Sequence, residues 1–233
     1  MFNNHVYTAH DTKLFKDLSL KARWKMYQKL IQKLPLSSLR SILDVGVTAD
    51  KTRDDSNFFE KMFPEKDKIT ALSNQQAHWL ESEYPGLKFV QGDARKMPFP
   101  DNAFDFVFSS AVIEHVGSFE WQKQMISECV RVSKRYVCIL TPYRFYPVEL
   151  HTILPLIHWL PRKAHRWILK KIGFAEMARE SNLHLLSRSD VYRMCRELRL
   201  SKPTIVFNYF FGFPSNLMIF FEKKPPLLPT GEN

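Results

Sequence analysis

Short apolar runs recur along the chain, and each is separated from the next by a polar and apolar mixture long enough for a helix. Continuous runs of β-branched, aliphatic and aromatic residues are typical of strands buried on both faces of a parallel sheet. The chain therefore predicts an α/β fold, a Rossmann-like doubly wound sheet with strands alternating with helices. The predicted strands lie around Asp44 and at 69–72, 87–94, 104–108, 136–140, 203–210 and 217–222.

Three stretches lie outside this alternation. Residues 1–39 predict an N-terminal helical cap, because five apolar residues recur there at helical spacing: Leu20, Trp24, Tyr27, Ile31 and Leu34. Residues 143–186 follow the fifth strand and predict an insertion that lies as a lid over one edge of the sheet. The domain itself is predicted at 40–222, and residues 223–233 predict a disordered tail.

Polar residues and glycines cluster where the predicted strands end. Asp44 and Gly46 close the first strand, Gly92 and Asp93 the third, and Glu114-His115 follows the fourth. The carboxyl ends of parallel strands share one edge of a sheet, which is where open α/β sheets bind ligands. These residues are therefore the candidates for a common site.

The motifs resemble those of the class I S-adenosylmethionine-dependent methyltransferases. Asp44-x-Gly46 is similar to the first motif of that family, and Gly92-Asp93-Ala94 with Met97-Pro98-Phe99 and Phe104-Asp105 is similar to its third. The segment 110–116 resembles the sequence that follows the fourth strand in the family. The resemblance covers about Ser38 to Glu222 and rests on several motifs in the right order.

The resemblance implies a seven-stranded sheet of order 3-2-1-4-5-7-6 and an enzyme that uses S-adenosyl-L-methionine as its cofactor. It implies that Asp93 accepts a hydrogen bond from the adenine amino group. The residues implied to bind the cofactor are Asp44, Gly46, Val47, Thr48, Ser73, Asn74, Asp93, Ala94 and Ser110.

Two departures from the family pattern bear on cofactor binding. Val47, Thr48 and Ala49 follow Gly46 where the family has further glycines, which predicts a wider turn with side chains in place of some backbone contacts. Ser73-Asn74 stands where the family has an acid for the ribose hydroxyls, and neutral groups are weaker acceptors. A cofactor-binding protein of this fold without activity is therefore an alternative.

The candidate catalytic residues are His115, His151 and Glu149. A histidine beside a bound acceptor can take a proton from its hydroxyl, and Glu149 lies close enough in sequence to fix the tautomer of His151. Structural histidines are the alternative for both. In ubiquinone and small-RNA 2′-O-methyltransferases a Glu-x-x-Glu-His sequence here binds a divalent metal, but Ala111 replaces the first Glu, so no metal is predicted. A zinc site built from the insertion histidines is a weaker alternative, because Pro155 and Pro161 interrupt any shared helix.

Composition and charge bear on the partners and the cellular compartment of the protein. The net charge of +10 across 233 residues, from 34 basic and 24 acidic side chains, raises attraction to phosphate-bearing partners, whether RNA, anionic lipid or nucleotide-linked compounds. A basic surface that is only solvated explains the charge equally well. The three cysteines show no metal or disulfide spacing and are predicted to be reduced core residues. Neither a membrane-spanning run nor an amino-terminal signal pattern is present, which predicts a cytoplasmic protein, peripheral to the inner face of a membrane if it binds one.

The predicted acceptor is a hydroxyl of a small molecule, a glycan or a lipid-linked compound, with an RNA methyltransferase as the alternative. The absence of an Asp/Asn-Pro-Pro-Tyr/Phe motif and of an RNA-binding module lowers the nucleic-acid alternative. Apolar residues of the insertion precede basic ones, a pattern that suits the interface of an anionic membrane, although a lid packed on the domain explains it equally well. The apolar residues are Leu150, Ile153, Leu154, Leu156, Ile157, Trp159 and Leu160. The basic residues are Arg162, Lys163, Arg166, Lys170 and Lys171, and Trp167 lies among them.

Overall fold

Seven strands form one sheet in the protein, here described from a computed structural model that covers residues 13–52 and 55–223. The strands are β1 (Ile42–Val45), β2 (Ile69–Ser73), β3 (Lys88–Gln91), β4 (Phe104–Ser110), β5 (Ser133–Pro142), β6 (Thr204–Phe210) and β7 (Phe213–Glu222). Their order is β3-β2-β1-β4-β5-β7-β6, which confirms the predicted topology. Strands β1 to β5 are parallel, and β7 runs antiparallel to both β5 and β6.

Helices cover both faces of this sheet. They are α1 (Lys13–Lys33), α2 (Phe58–Met62), α3 (Trp79–Glu83), α4 (Phe119–Val132), α5 (Arg162–Lys171) and α6 (Arg188–Glu197). Within 13–52 and 55–223, no helix combines the length and the apolar character needed to cross a bilayer.

The register of the central strands places Asp44 as the sequence predicts. Val45, the last residue of β1, pairs with Leu72 on one side and with Ser109 on the other. The carboxyl ends of β1, β2 and β4 are therefore level, and Asp44 lies one residue before the ligand edge of the central strand.

Alternation along β1 divides the core into two layers. On one face of the sheet, Ile42 packs with buried side chains of α1 and α2. On the other face, Leu43 and Val45 pack with buried side chains of α4 and α6. Successive side chains of a strand point to opposite faces, so a strand covered on both faces needs an unbroken apolar run. All three cysteines are free and buried in these layers, as predicted.

Helix α1 packs through only part of the predicted face, which includes Tyr27 and Leu34. Trp24 and Ile31 are 51% and 39% exposed, so the prediction that they pack is wrong. At 3.6 residues per turn they lie about 100° round the helix from the centre of the packed face. The packed side chains are Met26, Tyr27, Leu30 and Leu34. The part of the predicted cap at 1–12 lies outside the described residues.

The last hairpin is tighter than predicted. Its turn is Phe211-Gly212, with φ of 48° and 79°, and β7 begins at Phe213 rather than at Leu217. Positive φ at both central residues is the geometry that matches the twist of a two-residue hairpin. Proline has no backbone N–H to donate to a neighbouring strand, so Pro214 is unusual within β7. It pairs with Tyr209, next to an irregularity in the pairing of β6 with β7, where a proline is tolerated.

The insertion at 143–186 leaves and rejoins the sheet at one point, since Tyr143 forms a parallel bridge with Leu186. Between these residues lie a short 3₁₀ turn, Ile157–Trp159, and helix α5. The predicted tail lies, from residue 224 onward, outside the described residues.

Candidate functional site

The turn after β1 requires glycine at position 46. Gly46 has φ of 94°, and its N–H donates to Leu72 O at 2.7 Å. A Cβ on Gly46 would lie 2.1 Å from Cγ2 of Val112, which follows β4. The backbone of the first motif therefore passes as close to the β4 loop as a glycine allows.

Side-chain amides hold the rest of this turn, where the family has glycines. Asn57 accepts from Thr48 N–H at 2.9 Å and donates to Thr48 O at 3.0 Å. Gln75 Oε1 accepts from Ala49 N–H at 2.9 Å. Asn57 and Gln75 thus hold the backbone of this turn from outside it, and within the turn Thr48 Oγ1 accepts from Asp50 N–H at 3.1 Å.

The end of β2 carries neutral groups only. Ser73 is buried and its Oγ accepts from Gln75 N–H at 3.1 Å, whereas Asn74 is exposed. Hydrogen bonding to a ribose here would rely on hydroxyl and amide groups, since Ser73, Asn74 and Gln75 are all uncharged.

Asp93 is paired with Arg95. The guanidinium donates from Nε to Asp93 Oδ1 at 3.0 Å and from Nη2 to Oδ2 at 2.7 Å, and it lies 4.6 Å from the ring centroid of Trp121. The hydrogen bonds from Arg95 lower the pKa of Asp93 despite partial burial. The carboxylate is therefore anionic at neutral pH, and an adenine amino group would share it with Arg95.

These turns surround a cavity of about 670 Å³, within the range of small-molecule sites. Seven of the nine residues implied to bind cofactor line it: Gly46, Val47, Thr48, Ser73, Asn74, Asp93 and Ala94. A cavity of this size can hold a nucleoside-bearing cofactor. The absence of a side chain at Gly46 lets the backbone of the turn form its wall. Gln75, Arg95 and Trp121 also line the cavity and were not predicted from the sequence. Gln75 could have been predicted, because it lies two residues after the end of β2.

Asp44 and Ser110 are the two predicted cofactor residues that the structure places outside the cavity lining. Burial raises the pKa of Asp44 well above its usual range, and the neighbouring Glu60 carboxyl is the second cause of this increase. Two adjacent carboxyl groups that are both buried cannot both be charged without a large cost, so burial favours a proton on one of them. Ser110 Oγ accepts from Arg23 of α1 at 3.0 Å.

The three predicted catalytic residues lie together at its edge. His151 Nδ1 is 2.6 Å from Glu149 Oε1, and His151 Nε2 is 3.2 Å from His115 Nε2. Although burial alone would raise the pKa of Glu149, the charge and hydrogen bonds of His151 and the bond from Thr152 lower it to about 2. Glu149 is therefore an anion that orients His151, as predicted, and His115 links the pair to the cavity that it lines.

The insertion forms part of the wall at this end of the cavity. Its residues Glu180 and Ser181 line the cavity, and His184 N–H donates to Glu114 O at 2.7 Å. Gln122 of α4 donates to His184 O, also at 2.7 Å. These buried backbone contacts dock the insertion onto the 3₁₀ turn Ile113–His115.

The insertion histidines do not form a common zinc site. His158 and His165 lie beside each other, with ring centroids 6.3 Å apart, whereas His151 faces His115. In the described part of the chain, one group of potential metal ligands has all its ligand atoms within 4.8 Å of one another, namely Glu114, His115 and His151. Sequence spacing did not show it, because His151 comes from the insertion.

Comparison with known proteins agrees with this architecture. A family model described as a methyltransferase domain matches residues 65–138. A segment of 48 residues is 52% identical to the sterol 24-C-methyltransferase ERG6B of Gibberella zeae; the match spans 21% of this chain and 12% of that protein.

Solved structures resemble the whole domain. A SAM-dependent methyltransferase from Thermotoga maritima superposes with a TM-score of 0.58 at 15% identity, covering 94% of this chain and 99% of that one. Magnesium protoporphyrin IX methyltransferase from Synechocystis PCC 6803, solved with bound S-adenosylhomocysteine, gives 0.53 at 12% identity over 95% of this chain and 92% of that one. Taken together, the motif order, the strand order and the family model matched over residues 65–138 support a class I S-adenosylmethionine-dependent methyltransferase, with S-adenosylmethionine as the cofactor.

Proposed function

We propose that this protein methylates a hydroxyl group of a small-molecule, glycan or lipid-linked acceptor. The observation that carries the proposal is the pair His115 and His151 at the edge of the cavity that the cofactor motifs line. The two Nε2 atoms lie 3.2 Å apart and His115 lines the cavity, so an acceptor bound beside the cofactor would meet this pair. Such groups suit a hydroxyl, which must lose its proton on methylation.

When bound, S-adenosylmethionine would supply a methyl group on a sulfonium; the carbon–sulfur bond breaks as the acceptor oxygen bonds to the methyl carbon, and the sulfur departs as a neutral thioether. The chain contributes the approach of the acceptor and the removal of its proton. That proton passes from the hydroxyl to Nε2 of the histidine pair, and anionic Glu149 stabilises the resulting imidazolium through His151 Nδ1.

Calorimetry with S-adenosylhomocysteine tests the cofactor half of the proposal. We expect one site per chain with a dissociation constant between about 1 μM and 1 mM, the range common for enzyme ligands. A screen of hydroxyl compounds with S-adenosylmethionine should then show a product heavier by one methylene. No heat at millimolar ligand would contradict the proposal and favour a protein that keeps the fold without the reaction.

The RNA alternative receives less support from the surface of α1. Of its four lysines spaced four residues apart, Lys29 donates to Phe207 O at 2.9 Å and Lys33 lies over the ring of Phe220. Lys21, Lys25 and Lys33 are exposed, so the fold removes Lys29 from the basic surface and leaves the other three lysines on it.

We further propose that the insertion rests on an anionic membrane surface, where a lipid-linked acceptor would be found. Exposed apolar side chains lie close in sequence to exposed lysines, an arrangement that suits headgroups above and acyl chains below. Arg162 and Arg166 are not part of this surface, since they pair with Asp190 and Glu180. Its exposed members are Leu156, Trp159, Leu160, Trp167 and Ile172 with Lys163, Lys170 and Lys171.

Co-sedimentation with vesicles tests the membrane contact. At about 1 kcal/mol per lysine near an anionic surface, changing Lys163, Lys170 and Lys171 to Glu is expected to weaken binding to phosphatidylserine vesicles by at least about 100-fold. The same change at exposed Lys25, Lys88 and Lys96 alters net charge equally and should have a much smaller effect. Equal and negligible binding of the wild-type protein to anionic and neutral vesicles would remove the proposal.

A further inference from the structure

The hairpin that joins β6 to β7 ends in exposed aromatic side chains. Tyr209, Phe211 and Phe213 are 54%, 72% and 54% exposed. Strand β6 lies at the edge of the sheet, where charged side chains are usual, yet residues 203–221 contain none. Contiguous apolar surface on a soluble protein commonly marks contact with a partner or a membrane. The tip of this hairpin is therefore a candidate contact surface.

The residue at the first position of the turn is not the one that the fold favours. Phe211 has φ of 48°, where asparagine is preferred and a bulky side chain carries a steric cost. Its ring centroid lies 4.4 Å from that of Phe210, but the side chain stays largely in water, so burial offsets little of this cost. An aromatic residue held in this conformation and left exposed indicates a role other than stabilising the hairpin.

The tip lies at the ligand edge of the sheet. Pro142, the last residue of β5, pairs with Asn216, and β7 runs antiparallel to β5. The first residues of β7 and the turn before them therefore project beyond the carboxyl end of β5. The cofactor cavity lies at the same edge, since the turns after β1, β2 and β4 form its wall. The exposed aromatic tip and the cavity thus lie at one end of the molecule.

Ring contacts join the hairpin to the insertion. Tyr143 lies between Phe207 of β6 and Phe145, and its ring centroid is 5.2 Å from the first and 5.7 Å from the second. Phe145 in turn lies 6.4 Å from Trp159, again between ring centroids. Because Phe145 and Trp159 are exposed, the aromatic surface continues from the hairpin onto the apolar side chains of the insertion.

Shape and charge favour an anionic bilayer as the partner. Glu149 is the one acidic residue in the sequence between positions 143 and 175, and it is buried, whereas the lysines at 163, 170 and 171 are exposed. Uncharged rings beside lysines suit a lipid interface, with the rings at the acyl boundary and the ammonium groups at the headgroups. A protruding turn would need a matching pocket in a protein, and RNA would need cations at the tip itself.

We propose that the hairpin tip inserts Phe211 and Phe213 into the interface of an anionic membrane. This contact differs from the one made by the lysines of the insertion, because it depends on burial of apolar side chains and not on charge. Since the tip and the cavity share one edge of the sheet, a lipid-linked acceptor would reach the cofactor from the bilayer. That consequence rests on the proposed function, whereas the membrane contact depends on the hairpin alone.

Co-sedimentation of the full-length protein with phosphatidylserine vesicles tests the hairpin contact. Phe211→Asn is expected to weaken binding by about 10-fold, and Phe211→Asn with Phe213→Thr by about 100-fold, because one or two rings no longer leave water. The two ratios should be alike at about 0.1 M and about 0.5 M salt, since salt screens the attraction of lysines but not apolar burial. Asn-Gly is the favoured sequence for this turn, so Phe211→Asn should keep or raise the melting temperature.

Ile31→Gln is the matched control, because it removes an exposed apolar side chain from the opposite end of the sheet. Two residues further along α1, Lys33 lies over the ring of Phe220, which pairs with Thr204 at the start of β6. Ile31 is therefore far from the hairpin tip, and vesicle binding of this variant should change by less than about 2-fold.

Three outcomes would overturn the proposal. The wild-type protein could fail to bind the vesicles, or both hairpin variants could bind as the wild type does. Light scattering could instead detect a dimer that the hairpin variants dissociate, in which case a second copy of the chain covers the tip. Calorimetry with S-adenosylhomocysteine separates each of these from failure of the proposed function, because no residue of the hairpin lines the cofactor cavity.

Discussion

Replacing Gly46 by alanine is expected to destabilise the fold by about 3 kcal/mol or more and to abolish measurable binding of S-adenosylhomocysteine. The new Cβ would lie 2.1 Å from Val112 Cγ2 and 2.8 Å from its Cγ1, and the residue would have to hold φ at 94°. The turn can relieve the overlap only by moving, and it forms one wall of the cofactor cavity. Thermal unfolding and calorimetry measure the two effects.

Gly173 offers a matched control for the strain of the backbone alone. Its φ is 93°, almost that of Gly46, yet a Cβ there would meet no atom within 4 Å. Gly173→Ala is therefore expected to cost about 1–2 kcal/mol and to leave cofactor binding intact. The steric part should be recovered in the double variant Gly46→Ala with Val112→Ala. Equal losses of stability in the two single alanine variants would show that the contact with Val112 is unimportant.

The strands of the sheet were predictable because each is marked by a short run of neighbouring apolar residues. The unbroken apolar run around Ile42 and Leu43 marks a strand buried on both faces, and its alternating side chains divide between the two core layers. Family motifs at the strand ends then supplied the order of the strands. The packed face of α1 was not predictable in the same way, because that helix carries large apolar residues on more than one face and only tertiary packing selects among them.

The candidate site was predictable in part, for a similar reason. Glu149 and His151 are two residues apart, so their contact follows from the local chain. The meeting of His151 with His115 joins positions 36 residues apart through an insertion without regular periodicity. Likewise, Asn57 and Gln75 replace the missing glycines of the first motif only because separate loops converge there. Such contacts depend on how loops pack, which hydrophobic patterning does not encode.

His151→Ala is expected to lower kcat for the acceptor that the proposed screen identifies by about 10²- to 10⁴-fold, the usual contribution of a group that handles the transferred proton. The fold should persist, because the N–H groups of residues 151 and 152 and the hydroxyl of Thr152 still donate to Glu149. Binding of S-adenosylhomocysteine should change by less than about 2-fold, since the side chain of His151 does not line the cofactor cavity.

His165→Leu is the control within the same insertion. Burial lowers the pKa of His165 to about 4, so the ring is neutral at pH 7, and its buried Nε2 has no hydrogen-bond partner among the described residues. Leucine removes this unsatisfied atom, which should raise the free energy of unfolding by up to about 1 kcal/mol and leave kcat unchanged. If both variants lost activity in parallel, the insertion would contribute through its packing alone. A loss confined to His151→Ala would place the proton-handling group at that nitrogen, because only this variant removes an atom that faces His115.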